Sequence, residues 1–280
     1  MAFCFATKAQ RHKDFTKKQY NVCETSVILL QATMDCKQND MHGCYFIMER
    51  YYYIILLLAS VAIPLVRSFE HRIHFRGKWP ALFSGIFVMM LVFIPWDVIF
   101  TENGIWSFNY RYVMGLYIFG LPLEEWLFFI VIPYCIVFTY EVFRYFLPNL
   151  HFPKTALVLS IILGLTFLLL ALFNTHRIYT FVVMNLVAAL TLAQPFLNTH
   201  KTWLSHFYLT YAVILIPFLL INGALTGMFT PQPVVSYNDL HNLGVRIFTI
   251  PVEDSVYLLG VMFIVQMIYE GRKEEVGSRQ

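Results

Sequence analysis

The 280-residue chain is 58% hydrophobic and 18% aromatic, but only 13% of its residues are charged, against about 25% in typical globular proteins. So few charged side chains cannot cover a water-soluble protein of this length, and the composition also excludes disorder for most of the chain. The net charge of +3, without a basic stripe interleaved with aromatic residues, gives no support for nucleic-acid binding. The predicted class is therefore an integral membrane protein.

Residues 1–47 differ from the rest of the chain, because they are polar and basic and contain no apolar stretch like the core of a signal peptide. One interpretation is an extended start or an added leader, disordered in the mature protein, since Met41 and Met48 both precede the first apolar run. The alternative is a basic arm that binds lipid headgroups.

Seven apolar runs follow, and each is long enough to cross a bilayer as a helix, which takes about 20 residues. They cover residues 50–68, 80–101, 120–145, 155–173, 177–197, 203–226 and 248–270. Lys and Arg are concentrated in the loops on the side of the C-terminus once the N-terminal arm is set aside. The positive-inside rule therefore predicts a cytoplasmic C-terminus.

The sequence also contains an internal repeat. A pattern of polar and aromatic residues that runs from Phe100 to Glu141 recurs 129 positions later, from Phe229 to Glu270, without a gap. Upstream, Arg50-Tyr51-Tyr52 resembles Arg177-Ile178-Tyr179 at a slightly different offset. Three helices reverse the direction of the chain, and an unmatched fourth helix restores it, so both repeats are predicted to have the same orientation. A pseudo-twofold axis along the membrane normal should relate them.

The predicted fold is thus all-α and integral to the membrane, with seven transmembrane helices arranged as two same-orientation three-helix repeats joined by one linking helix. A binding or catalytic site is expected where the two repeats meet. The corresponding segments are a tail (1–47), the first repeat (48–146), the linking helix (147–176), the second repeat (177–273) and a cytoplasmic tail (274–280).

Each repeat carries a proline followed by a pair of acids: Pro122 precedes Glu124-Glu125, and Pro251 precedes Glu253-Asp254. Ionisable groups at membrane depth are costly and usually face the bundle interior or a cavity. Proline suits the first turn of a helix, which would put the acids at the helix N-terminus, where a carboxylate can also serve simply as a cap. Since adjacent residues lie about 100° apart on a helix, one acid of each pair can face a shared cavity while its neighbour caps.

Other chemistries lack their sequence motifs. The chain has no GxGxxG, no P-loop and no DxxxD pair, and its last apolar run contains no lysine for a Schiff base. The histidines are scattered at loops and span ends, so no metal site is predicted. A cofactor-free proton transfer on an apolar molecule fits what remains.

These motifs resemble the integral-membrane lycopene cyclases of the heterodimer-derived type, whose two small subunits are separate in some bacteria and fused in others, including the cyclase half of fungal bifunctional proteins. The resemblance covers roughly residues 48–273, and the chain looks like the fused bacterial form. The second half lacks a match for Trp96-Asp97. The residues that carry the resemblance are Trp96-Asp97, Phe100-Thr101, Gly104, Trp106, Phe108-Asn109, the run Leu121 to Phe129 and the run Ile250 to Asp254.

The resemblance implies a cofactor-free isomerase of the bacterial cytoplasmic membrane that converts lycopene through γ-carotene to β-carotene without net redox change. A carboxylic acid would protonate the terminal double bond, a nearby double bond would attack the cation to close a six-membered ring, and a base would remove a ring proton. The implied partners are lycopene and other carotenoids, membrane lipid and other enzymes of carotenoid biosynthesis.

On this hypothesis Glu124 and Glu253 are the leading acid or base candidates, Glu125 and Asp254 cap, orient or return the proton, and Asp97 comes next. Asn109 and Asn238 would bond the carboxylates or pin a loop, and Tyr140-Glu141 with Tyr269-Glu270 would anchor the cytoplasmic ends. Aromatic faces would stabilise the cation, although most single aromatic residues of a membrane protein belong to the core or the interfacial belt. The residues expected to contact substrate are Trp96, Trp106, Phe108, Asn109, Trp126, Tyr237 and Asn238.

Three alternatives stay open from the sequence. A carotenoid hydratase would let water capture the same cation, and a related cyclase would form ε- or γ-rings. A small-molecule or proton transporter could also be built from same-orientation repeats around a buried acidic site.

Overall fold

The computed structural model describes residues 49–197 and 203–277, so the predicted tail 1–47 lies outside the described residues. Within those residues the chain is mostly α-helical, and a short 3-10 helix, Phe75–Lys78, precedes the second α-helix. The α-helices are α1 (Tyr52–Arg67), α2 (Trp79–Glu102), α3 (Leu123–Phe146), α4 (Pro153–Phe173), α5 (Ile178–Ala193), α6 (Trp203–Leu225) and α7 (Val252–Gly277).

Five of these helices are long and apolar enough to cross a membrane: α2 together with the turn before it, α3, α4, α6 and α7. The other two, α1 and α5, are apolar but have 16 residues each. They are shorter than the runs 50–68 and 177–197 predict, and they occupy the same place in the two repeats, as the first helix of each. The described chain is therefore an apolar helical bundle with five candidate membrane spans.

Three short antiparallel strand pairs lie in the connections between the helices. The described fold is therefore not purely α-helical, in contrast to the all-α prediction. Loop backbone beside an apolar bundle has to satisfy its own N–H and C=O groups, and short strand pairs do this. The pairs are β1 (Trp106–Phe108) with β4 (Val235–Tyr237), β2 (Tyr117–Ile118) with β3 (Leu121–Pro122), and β5 (Arg246–Ile247) with β6 (Ile250–Pro251).

The hairpins β2–β3 and β5–β6 explain why α3 and α7 begin a few residues later than their apolar runs. Phe119 and Phe248 form the hairpin turns with φ of 51° and 57°, a left-handed conformation that cannot continue a right-handed helix. Pro122 and Pro251 consequently end the hairpins and do not lie in the first helical turn. The acids that follow them do lie in the first turn, as predicted.

The pairing of β1 with β4 shows how the two repeats are related. Ser107 lies opposite Ser236, and these residues are equivalent positions of the repeat, 129 apart. A residue that pairs with its own counterpart lies on a twofold axis, and its neighbours then have to pair crosswise. The crosswise partners are Trp106 with Tyr237 and Phe108 with Val235.

The repeats pack through the second helix of one against the third helix of the other. On one side α2 lies close to α7, where a Cβ atom on Gly85 would come within 2.7 Å of the Val265 carbonyl oxygen. The equivalent contact on the other side is between α6 and α3. Large apolar side chains such as Phe93, Phe129 and Phe263 are fully buried in this four-helix centre. The acid pairs at the start of α3 and α7 therefore lie where the two repeats meet.

Candidate active site

The first acid of each pair is directed at the loop before its helix. Glu124 Oε1 accepts a hydrogen bond of 2.6 Å from the backbone N–H of Met114. Glu253 Oε1 accepts bonds of 2.6 Å from the backbone N–H of Leu243 and from the Thr180 hydroxyl. Both carboxylates are fully buried, and each holds the loop ten residues upstream against the helix. Their described bonds go to upstream residues and not to N–H groups of their own helices, so they differ from the helix cap that the sequence left open for one member of each pair.

The second acid of each pair faces the interior instead. Glu125 Oε2 accepts a hydrogen bond of 2.7 Å from the Tyr53 hydroxyl. Asp254 accepts bonds of 2.5 Å from Tyr179, 2.6 Å from the Asn222 amide and 2.9 Å from Tyr237. The roughly 100° between adjacent helical residues accounts for this division of each pair. It differs from the expected order, in which Glu124 and Glu253 lead.

Both inward acids line one cavity of about 60 Å³, which we call the acid cavity. Asp97 on α2 lines it as well, although it is only 2% exposed, and its Oδ2 makes no hydrogen bond with the described residues. Asp97, Glu125 and Asp254 thus all line the same cavity. The structure therefore brings three carboxyl groups together at the junction of the repeats.

Tyr237 reaches the acid cavity from strand β4, outside the helices. Burial, followed by the negative charge of Asp254, raises the pKa of Tyr237 well above its usual value. Its hydroxyl therefore keeps its proton near neutral pH and serves as a donor to Asp254.

Aromatic side chains make up much of the remaining wall. Of the aromatic residues expected from the sequence, Trp106, Phe108 and Tyr237 line the acid cavity. Trp96 stacks on Phe93 with ring centroids 5.4 Å apart, and Trp126 donates to the Ile118 carbonyl of a hairpin, so neither of them contributes to the described lining. The lining also includes aromatic residues that were not among the expected substrate contacts, such as Phe128, Phe129 and Tyr257.

Asn109 and Asn238 hold the loops in place and make no described bond to a carboxylate. The side-chain oxygen of each accepts a backbone N–H two residues ahead, from Arg111 and Leu240 respectively. Their backbone N–H groups donate across the repeats to Val234 and Ile105, at 2.8 and 2.9 Å. Of the two roles that the sequence suggested for these asparagines, the geometry favours pinning the loop.

Three polar residues of the site were not among the site residues expected from the sequence: Tyr53, Tyr179 and Asn222. The upstream part of the sequence repeat does contain these tyrosines. However, the alignment that pairs Arg50 with Arg177 matches Tyr179 with Tyr52 and not with Tyr53. The structure makes Tyr53 the counterpart, because Tyr53 and Tyr179 each donate to the inward acid of their repeat. Asn222 lies on α6, the helix equivalent to the one that carries Asp97.

A second polar cluster lies at the far ends of α3 and α7. Arg144 Nη1 lies 2.9 Å from Glu270 Oε1, and Lys273 Nζ lies 2.8 Å from Glu141 Oε1. Both the cations and the glutamates are equivalent positions of the repeat, so each repeat supplies a cation to the glutamate of the other. Lys78 also pairs with Glu141. This cluster joins the helix ends and is separate from the acid cavity.

The comparisons with known proteins agree on one family. A family model described as lycopene cyclase matches residues 50–143 and 176–271, which is more than half of the chain. A bifunctional lycopene cyclase/phytoene synthase of Podospora anserina is 33% identical over 78 residues, which are 28% of this chain and 12% of that protein. The protein of the same description from Neurospora crassa is 28% identical over 99 residues, 34% of this chain and 14% of that protein. No solved structure matches the chain.

The two segments matched by the family model coincide with the two repeats. The first ends within α3 and the second ends within α7, and α4 lies in the unmatched segment between them. The curated relatives are much longer proteins, of which this chain matches only a small part.

Proposed function

The chain belongs to the lycopene cyclase family, and we propose that it closes the open ends of lycopene into rings, by way of γ-carotene to β-carotene. The observation that carries the proposal is the acid cavity, in which Asp97, Glu125 and Asp254 meet among aromatic side chains. The reaction needs a proton donor, a proton acceptor and a dry wall that tolerates a cation, and this cavity has candidates for each.

We assign the role of base to Asp254. It accepts three hydrogen bonds, from Tyr179, Asn222 and Tyr237, and such bonds stabilise a carboxylate. Glu125 and Asp97 have fewer described donors, and three negative charges in one buried cavity would repel one another. A proton held by Glu125 or Asp97 relieves that repulsion and makes this pair the acid.

The proposed reaction balances without a cofactor. The acid gives its proton to the terminal double bond of the linear chain, which leaves a tertiary carbocation. The neighbouring double bond attacks that cation and closes a six-membered ring, and Asp254 removes a ring proton to form the ring double bond. Aromatic faces such as Trp106 and Phe128 would stabilise the cation by about 0.5–2 kcal/mol each. The product is an isomer of the substrate.

The test compares neighbouring acids in a lycopene-accumulating bacterium, with pigments separated by chromatography and protein amounts matched by immunoblot. Glu125→Gln and Asp254→Asn should reduce ring formation by about 10²–10⁴-fold, the usual contribution of acid–base catalysis. Glu124→Gln and Glu253→Gln are the matched controls, because an amide oxygen can still accept the loop N–H bonds. Substantial activity in Glu125→Gln and Asp254→Asn would overturn the assignment, and alcohol products would indicate a hydratase.

We further propose that all seven helices span the cytoplasmic membrane of a bacterium, with the C-terminus in the cytoplasm. Lys78, Arg144 and Lys273 meet at one end of the bundle, and the site loops lie at the other end, so the basic cluster would be the inner side. A green fluorescent protein fused to the C-terminus should fluoresce, and an alkaline phosphatase fused there should be inactive. The opposite pair of results would invert the topology.

A further inference from the structure

A second cavity, of about 220 Å³, lies between α1, α3 and α6 and is almost entirely apolar. We call it the apolar cavity. Ser60 and Pro64 line it from α1, Ile136 and Thr139 from α3, and Pro217 and Ile221 from α6. Pro217 is exposed, so the cavity reaches the outer surface of the bundle.

The apolar cavity adjoins the acid cavity. Ile132, Phe218 and Leu258 line both of them, and all three side chains are apolar and buried. A molecule that filled both spaces would pass these three residues, with one end among the carboxyl groups and the rest between apolar helices. Such a molecule has to be long and apolar.

The space exists on one side of the pseudo-twofold axis because the two equivalent helix contacts are packed differently. Between α2 and α7, Gly85 lies against the backbone and side chain of Val265, which leaves no room for a Cβ atom. The counterpart of Val265 on α3 is Ile136, and across the cavity from it α6 presents Ile214 rather than glycine. A branched side chain cannot allow the close approach that glycine allows, so α6 and α3 stay further apart at this level of their contact and enclose a space.

We propose that the apolar cavity is a channel for the conjugated chain of the substrate, which enters from the lipid between α1 and α6 and presents one end at a time to the acids. The proposal rests on the proposed function, because the occupant is taken to be a linear carotene. A chain with two open ends would have to leave and return reversed before its second end could react.

The test fills the channel without touching the acids. Ile221→Trp should block it and reduce ring formation at least about tenfold, whereas Leu220→Trp, its neighbour on α6 with a 57% exposed side chain, should stay within about twofold of wild type. Thr139→Leu narrows the opposite wall by a smaller change and should give an intermediate loss. Melting temperatures and size-exclusion profiles identify any variant that fails to fold.

A binding measurement separates this proposal from the proposed function. Purified Glu125→Gln should retain lycopene, measured by absorbance per mole of protein. Adding Ile221→Trp should remove that lycopene, and adding Leu220→Trp should not. Cyclase activity and lycopene content that are unchanged by both Ile221→Trp and Thr139→Leu would overturn the channel and leave the cyclase proposal intact. A third outcome is that the protein binds lycopene and loses it with Ile221→Trp, but the wild type forms no rings. That outcome would overturn the cyclase proposal alone.

Discussion

Ser107 and Ser236 lie opposite each other in the strand pair that joins the two repeats, and they are the same position of the repeat. The residues around the acid cavity are related in the same way, since Glu125 corresponds to Asp254 and Tyr53 to Tyr179. The correspondence is incomplete, because Asp97 on α2 adds a third carboxyl, whereas α6 supplies the Asn222 amide. In the proposed reaction this asymmetry lets one half hold a proton while the other stabilises a carboxylate.

The tyrosines that donate to the inward acids should differ in importance. Tyr53→Phe removes the described side-chain donor of Glu125, and we expect about 10–100-fold slower ring formation, since a hydrogen bond to the carboxylate left after proton transfer contributes about 1.5–3 kcal/mol. Tyr179→Phe should have a smaller effect, because Asp254 keeps its bonds from Asn222 and Tyr237. Initial rates of carotene conversion in membranes measure both. Equal losses in the two variants would contradict the roles assigned to these acids.

The crosswise ion pairs at the far end of the bundle should contribute to stability and not to catalysis. Glu141 is 3% exposed and pairs with Lys78 and Lys273, so Glu141→Gln should lower the free energy of unfolding by about 2–3 kcal/mol, somewhat less than a fully buried pair. Glu270→Gln should cost less, since its partner Arg144 is 38% exposed. Thermal melts in detergent measure the difference, with carotene conversion as the second readout. A larger loss for Glu270→Gln would contradict this account of the cluster.

The close contact between α2 and α7 should not tolerate even a methyl group. Gly85→Ala places a Cβ atom within 2.7 Å of the Val265 carbonyl oxygen, and such overpacking costs about 1–3 kcal/mol. Gly271→Ala on α7 is the control, because nothing lies within 4 Å of the added carbon. Melting temperatures should fall for the first variant and stay level or rise slightly for the second. No difference between them would mean that the two helices can separate without cost.

We expect Asp239, in the loop before the second acid pair, to make the stability of the protein weakly dependent on pH. A hydrogen bond from Asn242, together with a bond and the positive charge of Arg246, lowers the pKa of Asp239. A lowered folded-state pKa adds stability above the unfolded value of about 3.9, and that stability is lost as the pH falls through the folded value. The free energy of unfolding of the wild type should therefore exceed that of Asp239→Asn by at most about 1 kcal/mol at pH 7, because the Asp239 side chain is exposed. The difference in melting temperature should vanish in strong acid, and a difference that grew with acidity would contradict this reasoning.

The amino-acid sequence by itself revealed an apolar helical chain with candidate membrane spans, the repeat and the two acid pairs. These are properties of local composition and spacing: an apolar run of sufficient length predicts a membrane helix wherever it packs, and a register of 129 residues is readable without a structure. The predicted helix starts were wrong by a few residues at α3 and α7, because a hairpin of apolar residues has the same hydropathy as the first turn of a helix.

The tertiary structure decided which acid of each pair lines the cavity. Glu124 and Glu125 are equally acidic neighbours in the sequence, and only the elements packed around α3 make one of them a loop anchor and the other a cavity group. The same holds for Tyr53 and Asn222, whose donors reach the acids from helices far away in the chain. Such contacts depend on the rotation and separation of packed helices, which the hydrophobic pattern of a single helix does not encode.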